Sequence, residues 1–322
     1  MKWEKITCSQ LPMDEKHARR RRIAARLKND WVLYVLVLPV LAWYLIFCYA
    51  PMGGIILAFK DYSLKKGIWG SEWVGLQNFK DFFADKYLFR ALKNTVIFGI
   101  GGILLTMPCE IGMALLLNEL RMRKTKKAIQ TVITFPHFLS WIIISGILIN
   151  LLSSDGVISQ IFAMMGMEYR NPITSESGYR WFIWLSAIWK EVGWGTIIYL
   201  AAIASVDQTM YEAAVIDGAS RWQLVWKITL PAIRGTICIM LILAVGSILT
   251  NGRFDQIYNT YSAPIYSVAD TFDTYVFRES FQTGGLDFGY STAIGLVKSI
   301  VGVAMILSAN KIVTAAGENG LV

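Results

Sequence analysis

Trp31 to Phe59 reads WVLYVLVLPVLAWYLIFCYAPMGGIILAF, an apolar run without one Asp, Glu, Lys or Arg. A helix that crosses the hydrocarbon core of a bilayer needs about 20 mostly apolar residues, because the core is about 30 Å thick and each residue rises about 1.5 Å. This run is long enough, and it exceeds the roughly 7–15-residue apolar region of a removable signal peptide. A charged segment, residues 1–30, precedes it, so the run is expected to remain as an anchor. Pro51 is expected to end the helix, leaving Met52 to Phe59 as an interfacial extension, since proline cannot continue the hydrogen-bond ladder.

Five further runs follow the same logic. Residues 95–118 carry a single charge, Glu110; residues 128–154 carry none; residues 181–206 contain Lys190 and Glu191; residues 235–252 are uncharged; residues 288–310 contain Lys298. With 55% hydrophobic and 17% charged residues over 322 positions, the chain is far more apolar than a soluble domain, in which about 25% of residues are charged. The expectation is an all-α membrane protein with six transmembrane helices, spanning about 31–51, 95–118, 128–154, 181–206, 235–252 and 288–310.

The formal net charge of +8 does not indicate a nucleic-acid partner, because Lys and Arg sit beside apolar runs rather than along one soluble face. They set orientation instead. With the N-terminus inside, the inner segments hold eighteen basic residues and the outer ones eleven, as the resistance of positive segments to translocation requires. Both termini, the basic tail 1–30 and the tail 311–322, are therefore placed in the cytoplasm. The first outer loop runs against this trend with seven basic residues between Lys60 and Asn94, diluted by Asp61, Glu72, Asp81 and Asp85.

The inner stretch 207–234 is mixed in polarity and reads as two short helices. Asp207 can cap the first, Gly218 can end it in a left-handed conformation, Ser220 with Gln223 fits a capping box for the second, and Pro231 marks where that helix should stop or turn. On the second helix Trp222, Val225 and Trp226 share one face. This stripe fits either a partner protein or the packing of the hairpin itself.

Within that hairpin stand Glu212-Ala213-Ala214, three residues, Gly218, nine residues, then Ile228-Thr229-Leu230-Pro231. The pattern resembles the EAA signature, EAA-x3-G-x9-I-x-L-P, of permeases in binding-protein-dependent ABC importers. It departs from many relatives in having Val206-Asp207-Gln208 where they place proline before the helix. Val74-Gly75-Leu76-Gln77-Asn78-Phe79 and Phe89-Arg90-Ala91-Leu92-Lys93-Asn94-Thr95 are similar to segments of the carbohydrate (maltose-type) permeases. Phe135-Pro136-His137-Phe138-Leu139-Ser140-Trp141, with Tyr49-Ala50-Pro51-Met52-Gly53-Gly54 and Ala58-Phe59-Lys60-Asp61-Tyr62, resembles the LplB-like oligosaccharide branch.

The resemblance implies a type I (MetI-like) ABC importer permease fold in the bacterial cytoplasmic membrane, working by alternating access. Its partners would be a second, non-identical permease, two cytoplasmic ATPase subunits and an extracellular solute-binding protein, in a lipid bilayer and without nucleic acid. Glu212, Ala213, Ala214, Asp217, Gly218, Ile228, Leu230 and Pro231 would couple the permease to the ATPases. The chain has no G-x-x-x-x-G-K-[ST] loop to cradle phosphates, so ATP and Mg belong to the partner subunits and this chain is expected to be neither an enzyme nor the holder of a cofactor.

Intramembrane charge is costly and marks pathways, which nominates Glu110, Lys190, Glu191 and Lys298; the competing reading of each is an interhelical pair. Trp189 and Trp194 are nominated as sugar platforms, although tryptophan also anchors membrane interfaces. No catalytic constellation is apparent, and the scattered Cys8, Cys48, Cys109, Cys238, His17 and His137 suggest neither disulfide nor metal site. The alternative from another class is a secondary active transporter of a small solute. Such a protein would show inverted repeats, and none is seen here.

Overall fold

The computed structural model describes residues 29–249, 253–281, 287–318 and 320. Two compact units emerge, divided after Ile56. The first is the anchor. Helix α1 (Trp31–Trp43) passes into a π-helical segment, Tyr44–Tyr49, and then a 3-10 segment, Ala50–Phe59. None of the side chains from Trp31 to Tyr49 is buried, as befits a helix that is apolar all round and is covered by lipid or another subunit.

Pro51 does not end this helix, contrary to the sequence expectation. The chain stays helical to Phe59. Proline lacks an N–H and crowds the carbonyl four residues back, and the ladder adapts by widening to π spacing just before it and tightening to 3-10 spacing around it.

The second unit opens with a small antiparallel pair, β1 (Lys60–Asp61) and β2 (Glu72–Trp73), in the register Lys60 to Trp73. The buried Lys60 ammonium ties the intervening loop by donating to the carbonyls of Ile68 (2.8 Å), Trp69 (3.4 Å) and Ser71 (3.3 Å). Then follow α2 (Lys86–Glu119), α3 (Arg123–Thr134), α4 (Trp141–Leu151), α5 (Glu176–Ala204), α6 (Gln208–Ile216), α7 (Arg221–Leu224), α8 (Arg234–Gly246), α9 (Phe272–Phe281) and α10 (Phe288–Ala315).

Among the described residues, three helices are long and apolar enough to cross a membrane: Trp31–Phe59, α2 and α10. Two bent pairs raise the number to five, and α5, at 29 residues, is roughly 43 Å long at 1.5 Å per residue. Its Arg180, Lys190 and Glu191 make it less apolar than the others.

Several boundaries differ from the expectation. Helix α2 starts at Lys86 rather than Thr95, because Asp85 caps it by accepting from the Tyr87 (2.8 Å) and Leu88 (3.3 Å) amides. The run 128–154 is not one straight helix: α3 with its 3-10 extension, Phe135–Phe138, meets α4 at 96°. Ser140 restarts the chain there by accepting from the Ile143 amide at 3.4 Å. The run 235–252 shrinks to α8, which ends at Gly246; residues 250–252 lie outside the described residues, as do 1–28.

Asp85 also joins the ends of three helices. It accepts from the hydroxyls of Tyr275 on α9 and Tyr290 on α10, the latter at 3.0 Å. Burial opposes ionisation of this carboxyl, but the Tyr275 hydroxyl, the Leu88 amide and the other donors together hold it below the usual carboxylate range. Asp85→Ala removes a charged acceptor from two tyrosines and two amides, each such bond being worth about 1.5–3 kcal/mol. The expected result is a clearly lower thermal midpoint of the purified protein in detergent; an unchanged midpoint would show that this junction does not bear on stability.

The apolar core lies in three clusters. Phe98, Tyr179, Ile183, Ile257 and Ile265 form one; Phe82, Leu88, Phe272 and Ile294 form another; Ala114, Tyr199, Ile203 and Ile233 form the third, beside the 207–234 hairpin.

Candidate functional site: a coupling hairpin and a polar cavity

The hairpin forms because each of its joints is specified locally. Asp207 caps α6 by accepting from the Thr209 amide at 2.9 Å, and hydrogen bonds from the Thr209 amide and side chain hold its carboxyl below the usual range. An aspartate thus starts this helix without a proline. At the other end Gly218 has φ +79° while its amide and that of Ala219 return to the carbonyls of Val215 (3.0 Å) and Ala214 (2.9 Å). A Cβ built on Gly218 would meet nothing within 4 Å, so the demand for glycine is one of backbone conformation and not of obstructed space.

The second half is built on the capping box of Ser220 and Gln223, whose reciprocal bonds measure 3.4 and 2.7 Å. Pro231 does not stop the helix. A π-helical segment, Val225–Thr229, precedes it, a further helical turn, Leu230–Ala232, contains it, and the chain bends by 60° at Ile233 before α8. Ile228 and Leu230 pack against the third core cluster, and the Tyr211 hydroxyl lies 2.9 Å from Thr229 Oγ1, pinning α6 to the second half.

These bonds fix what the hairpin presents outward. Glu212, Ala213 and Asp217 are exposed, Ala214 is half-buried, and Glu212 has no hydrogen-bond or ion-pair partner among the described residues. Trp222 and Trp226 are 74% and 65% exposed, with Val225 half-buried. The tryptophans therefore do not hold the hairpin together; they form an exposed apolar surface on its second half. Arg221 joins the hairpin to the end of α2 through Glu119 at 3.2 Å.

A cavity of about 410 Å³ opens between α2, α4, α5 and α8. Glu110, Glu191, Trp141, Tyr199, Arg253 and Gln256 contribute its polar and aromatic lining. Glu110 fits because Gly195 on α5 offers no side chain: a Cβ there would stand 2.1 Å from the Glu110 carboxyl carbon. Glycine likewise admits Arg253, whose Nη2 would be 2.4 Å from a Cβ on Gly102. Among the described residues Arg253 is the one non-glycine with positive φ, at 54°, and its Nη1 lies 3.5 Å from Gln256 Oε1. Gln256 itself is locked by donating to the Ile183 carbonyl (2.8 Å) and Ser186 Oγ (2.9 Å).

At one side of this space Glu191 holds two partners, His137 Nδ1 at 2.6 Å and Lys190 Nζ at 3.2 Å. Lys190 is only 5% exposed and also donates to the His137 carbonyl at 2.7 Å. The Trp194 ring stacks on His137 with centroids 4.4 Å apart. In contrast, Glu110 has no ion-pair partner, and the buried Tyr199 hydroxyl and Thr106 Oγ1 have no hydrogen-bond partner among the described residues. A cavity with unspent acceptors, a guanidinium and an indole is suited to a hydroxyl-rich solute.

Of the residues nominated from sequence, Glu110 and Glu191 line the cavity, and Lys190 stands behind it. Lys298 does not; it pairs with Asp273. Trp189 and Trp194 do not line it either, Trp189 being exposed and Trp194 being held by His137. Trp141, Tyr199, Arg253 and Gln256 were missed. No spacing marks them, although His137 and Trp141 sit inside the very segment that carried the resemblance.

Comparison with known proteins adds the decisive observation: residues 110–315 match the family of binding-protein-dependent transport system inner membrane components. The chain belongs to this family. Protein LplB of Bacillus subtilis (strain 168) is 46% identical over 298 residues, covering 92% of this chain and 93% of LplB. The polygalacturonan/rhamnogalacturonan transport system permease protein YteP of the same organism is 42% identical over 307 residues, covering 95% of each chain. Among solved structures, a chain of a bacterial alginate ABC transporter, crystallised with an alginate pentasaccharide-bound periplasmic protein, superposes with a TM-score of 0.84 at 35% identity. That match covers 93% of this chain and 100% of the other. The protein is thus an ABC importer permease, a helical membrane component that depends on a binding protein and is not itself an enzyme. The secondary-transporter alternative is set aside by this membership.

Proposed function

We propose that this permease carries an oligosaccharide across the bacterial cytoplasmic membrane by alternating access, driven by two separate ATPase subunits that hold ATP and Mg. The observation that carries the reading is the hairpin: a capped helix pair that leaves Glu212 unpaired among the described residues, exposes Trp222 and Trp226, and is joined to the core by Ile228 and Leu230. Such a device can receive a push from outside and deliver it to α5 and α8. The carbohydrate assignment rests on the names of the relatives and on the hydroxyl-matching lining of the cavity. A second, non-identical permease and an extracellular solute-binding protein complete the assembly.

In this reading both termini and the hairpin are cytoplasmic, and the β1–β2 loop is outside. A single cysteine introduced as Lys66→Cys in a cysteine-free background is expected to react with an impermeant thiol reagent added to intact cells, whereas Ser220→Cys is expected to react only after the membrane is opened. The reverse pattern would invert the topology.

The substrate path in this reading passes the cavity, with Glu110, Glu191 and Arg253 meeting sugar hydroxyls. Hydrogen bonds to charged groups are worth about 1.5–3 kcal/mol, so Arg253→Gln is expected to raise the KM for oligosaccharide uptake in proteoliposomes roughly ten- to a hundredfold. An unaltered KM would remove Arg253 from the path.

A further inference from the structure

Beyond α10 the chain turns back on itself. The helix stops at Ala315, and Gly317 takes φ +84°, a conformation that glycine adopts without steric cost. The Gly317 amide donates to the Thr314 carbonyl at 3.1 Å and the Glu318 amide to the Val313 carbonyl at 3.2 Å, the paired bonds of a Schellman reversal. Gly320 lies against the helix just left: a Cβ there would stand 2.3 Å from Asn310 Oδ1 and 2.7 Å from Thr314 Cγ2. Glu318 is therefore placed by backbone bonds, independently of what its side chain meets.

That side chain meets the exit of the coupling hairpin. Glu318 Oε1 accepts from Arg234 Nε at 3.0 Å, with the glutamate side chain 21% exposed. Arg234 is the first residue of α8, directly after the 60° bend at Ile233. Before the bend Ile228 and Leu230 rest on the third core cluster, and Ile233 is buried within it. Backbone bonding is thinned here, because Pro231 brings no N–H to the ladder. A joint of that kind takes up a push by flexing unless the segment beyond it is held. Glu318 holds it, tying the start of α8 to the end of α10. Exposed ion pairs add little to stability, so the pair matters for where it stands rather than for the fold.

We infer that Glu318 is a positioning residue for the coupling hairpin: acting through Arg234, it makes α8 and α10 move together when the hairpin is displaced. The inference rests on the coupling role proposed above and adds to it the segment that follows α10. Coupling between two sites is reciprocal, so the same brace serves a signal that travels from the outer face to the ATPases.

The test uses the complete importer in proteoliposomes and reads ATP hydrolysis with and without its solute-binding protein, as purified, on the outside. Wild type is compared with Glu318→Gln, Arg234→Gln, the exchanged pair Arg234→Glu/Glu318→Arg, and Glu212→Ala as the reference for a broken hairpin. In Glu318→Gln and Arg234→Gln the stimulation by binding protein should fall roughly two- to fivefold, which is about 0.4–1 kcal/mol at 1.4 kcal/mol per tenfold and matches an exposed pair. The binding-protein concentration that gives half of the effect should not change, nor should the thermal midpoint. The exchanged pair should restore the stimulation, which a change that merely loosened the fold would not do. Wild-type stimulation in Glu318→Gln, beside its loss in Glu212→Ala, would overturn the inference and leave the coupling role standing. A loss that the exchange does not restore would overturn it too, because Arg234 and Glu318 would then not act on each other. Full stimulation in Glu212→Ala would instead overturn the coupling role itself, and the part of Glu318 with it.

Discussion

Gly193→Val is expected to abolish uptake and to lower the thermal midpoint of the purified protein more than any other single change considered. The reason is the close approach of α3 to α5. A Cβ on Gly193 would stand 2.1 Å from the Ile133 carbonyl oxygen and 2.6 Å from the Thr134 amide nitrogen, and these are backbone atoms that cannot swing aside like the end of a flexible side chain. Overpacking typically costs about 1–3 kcal/mol when side chains can adjust, so a rigid backbone obstacle puts this site at or above the upper end. The displaced segment also carries His137, which holds Glu191 and Trp194, so the cavity wall moves with it. Gly193→Ala adds the same Cβ and should share much of the defect, whereas Gly112→Ala, with nothing within 4 Å of the new atom, should leave midpoint and uptake unchanged. A wild-type midpoint for Gly193→Val would show that α3 and α5 do not meet in this way.

The second large effect concerns Gly218, where the cause is conformational. At φ +79° a side chain has room, yet the left-handed region costs an ordinary L-residue roughly 1–2 kcal/mol and a β-branched one more. Gly218→Val therefore favours an opened hairpin. It is expected to stop uptake and transport-stimulated ATP hydrolysis while the chain still inserts and the binding protein still binds sugar. Gly218→Asn, which tolerates this conformation, should retain substantial uptake. Equal loss in both variants would mean that space, not φ, governs the position. Glu212→Ala should likewise abolish uptake at matched expression, because the unpaired carboxylate is the hairpin's free handle for a basic partner.

Much of this was legible in the sequence where the cause is local. The Asp207 cap, the Gly218 reversal and the Ser220–Gln223 box depend on residues two to five apart, and the structure forms all three. Apolar runs fall on long or bent helices, but they do not give the shape of those helices, since the length of a run does not encode direction. The 96° bend before α4 and the start of α2 at Lys86 depend on Ser140 and Asp85 acting as caps within stretches that read as one span or as loop. Pro51 misled, because it reads as a stop and the helix continues past it behind a π-helical segment, whereas at Pro231 the expected turn is present, as a 60° bend two residues on. The cavity was half legible, because charge inside an apolar run, as at Glu110 and Glu191, is unusual enough to notice. Arg253 and Gln256 reach it from the segment after α8, and Tyr199 from α5; only tertiary packing brings them together. Lys298 fits the same sequence rule as Glu110 but is satisfied by Asp273, and Trp189, nominated as a sugar platform, is exposed away from the cavity.

The central claim is that the 207–234 hairpin is where separate ATPase subunits drive this permease. The most direct measurement is site-specific cross-linking in native membranes, with Glu212→Cys as the only cysteine of this chain and a short bifunctional thiol reagent. The account predicts a covalent adduct between this chain and an ATPase subunit, altered in yield when ATP is added, with no such adduct from Lys66→Cys. An adduct from Lys66→Cys and none from Glu212→Cys, in a complex that still hydrolyses ATP, would contradict it.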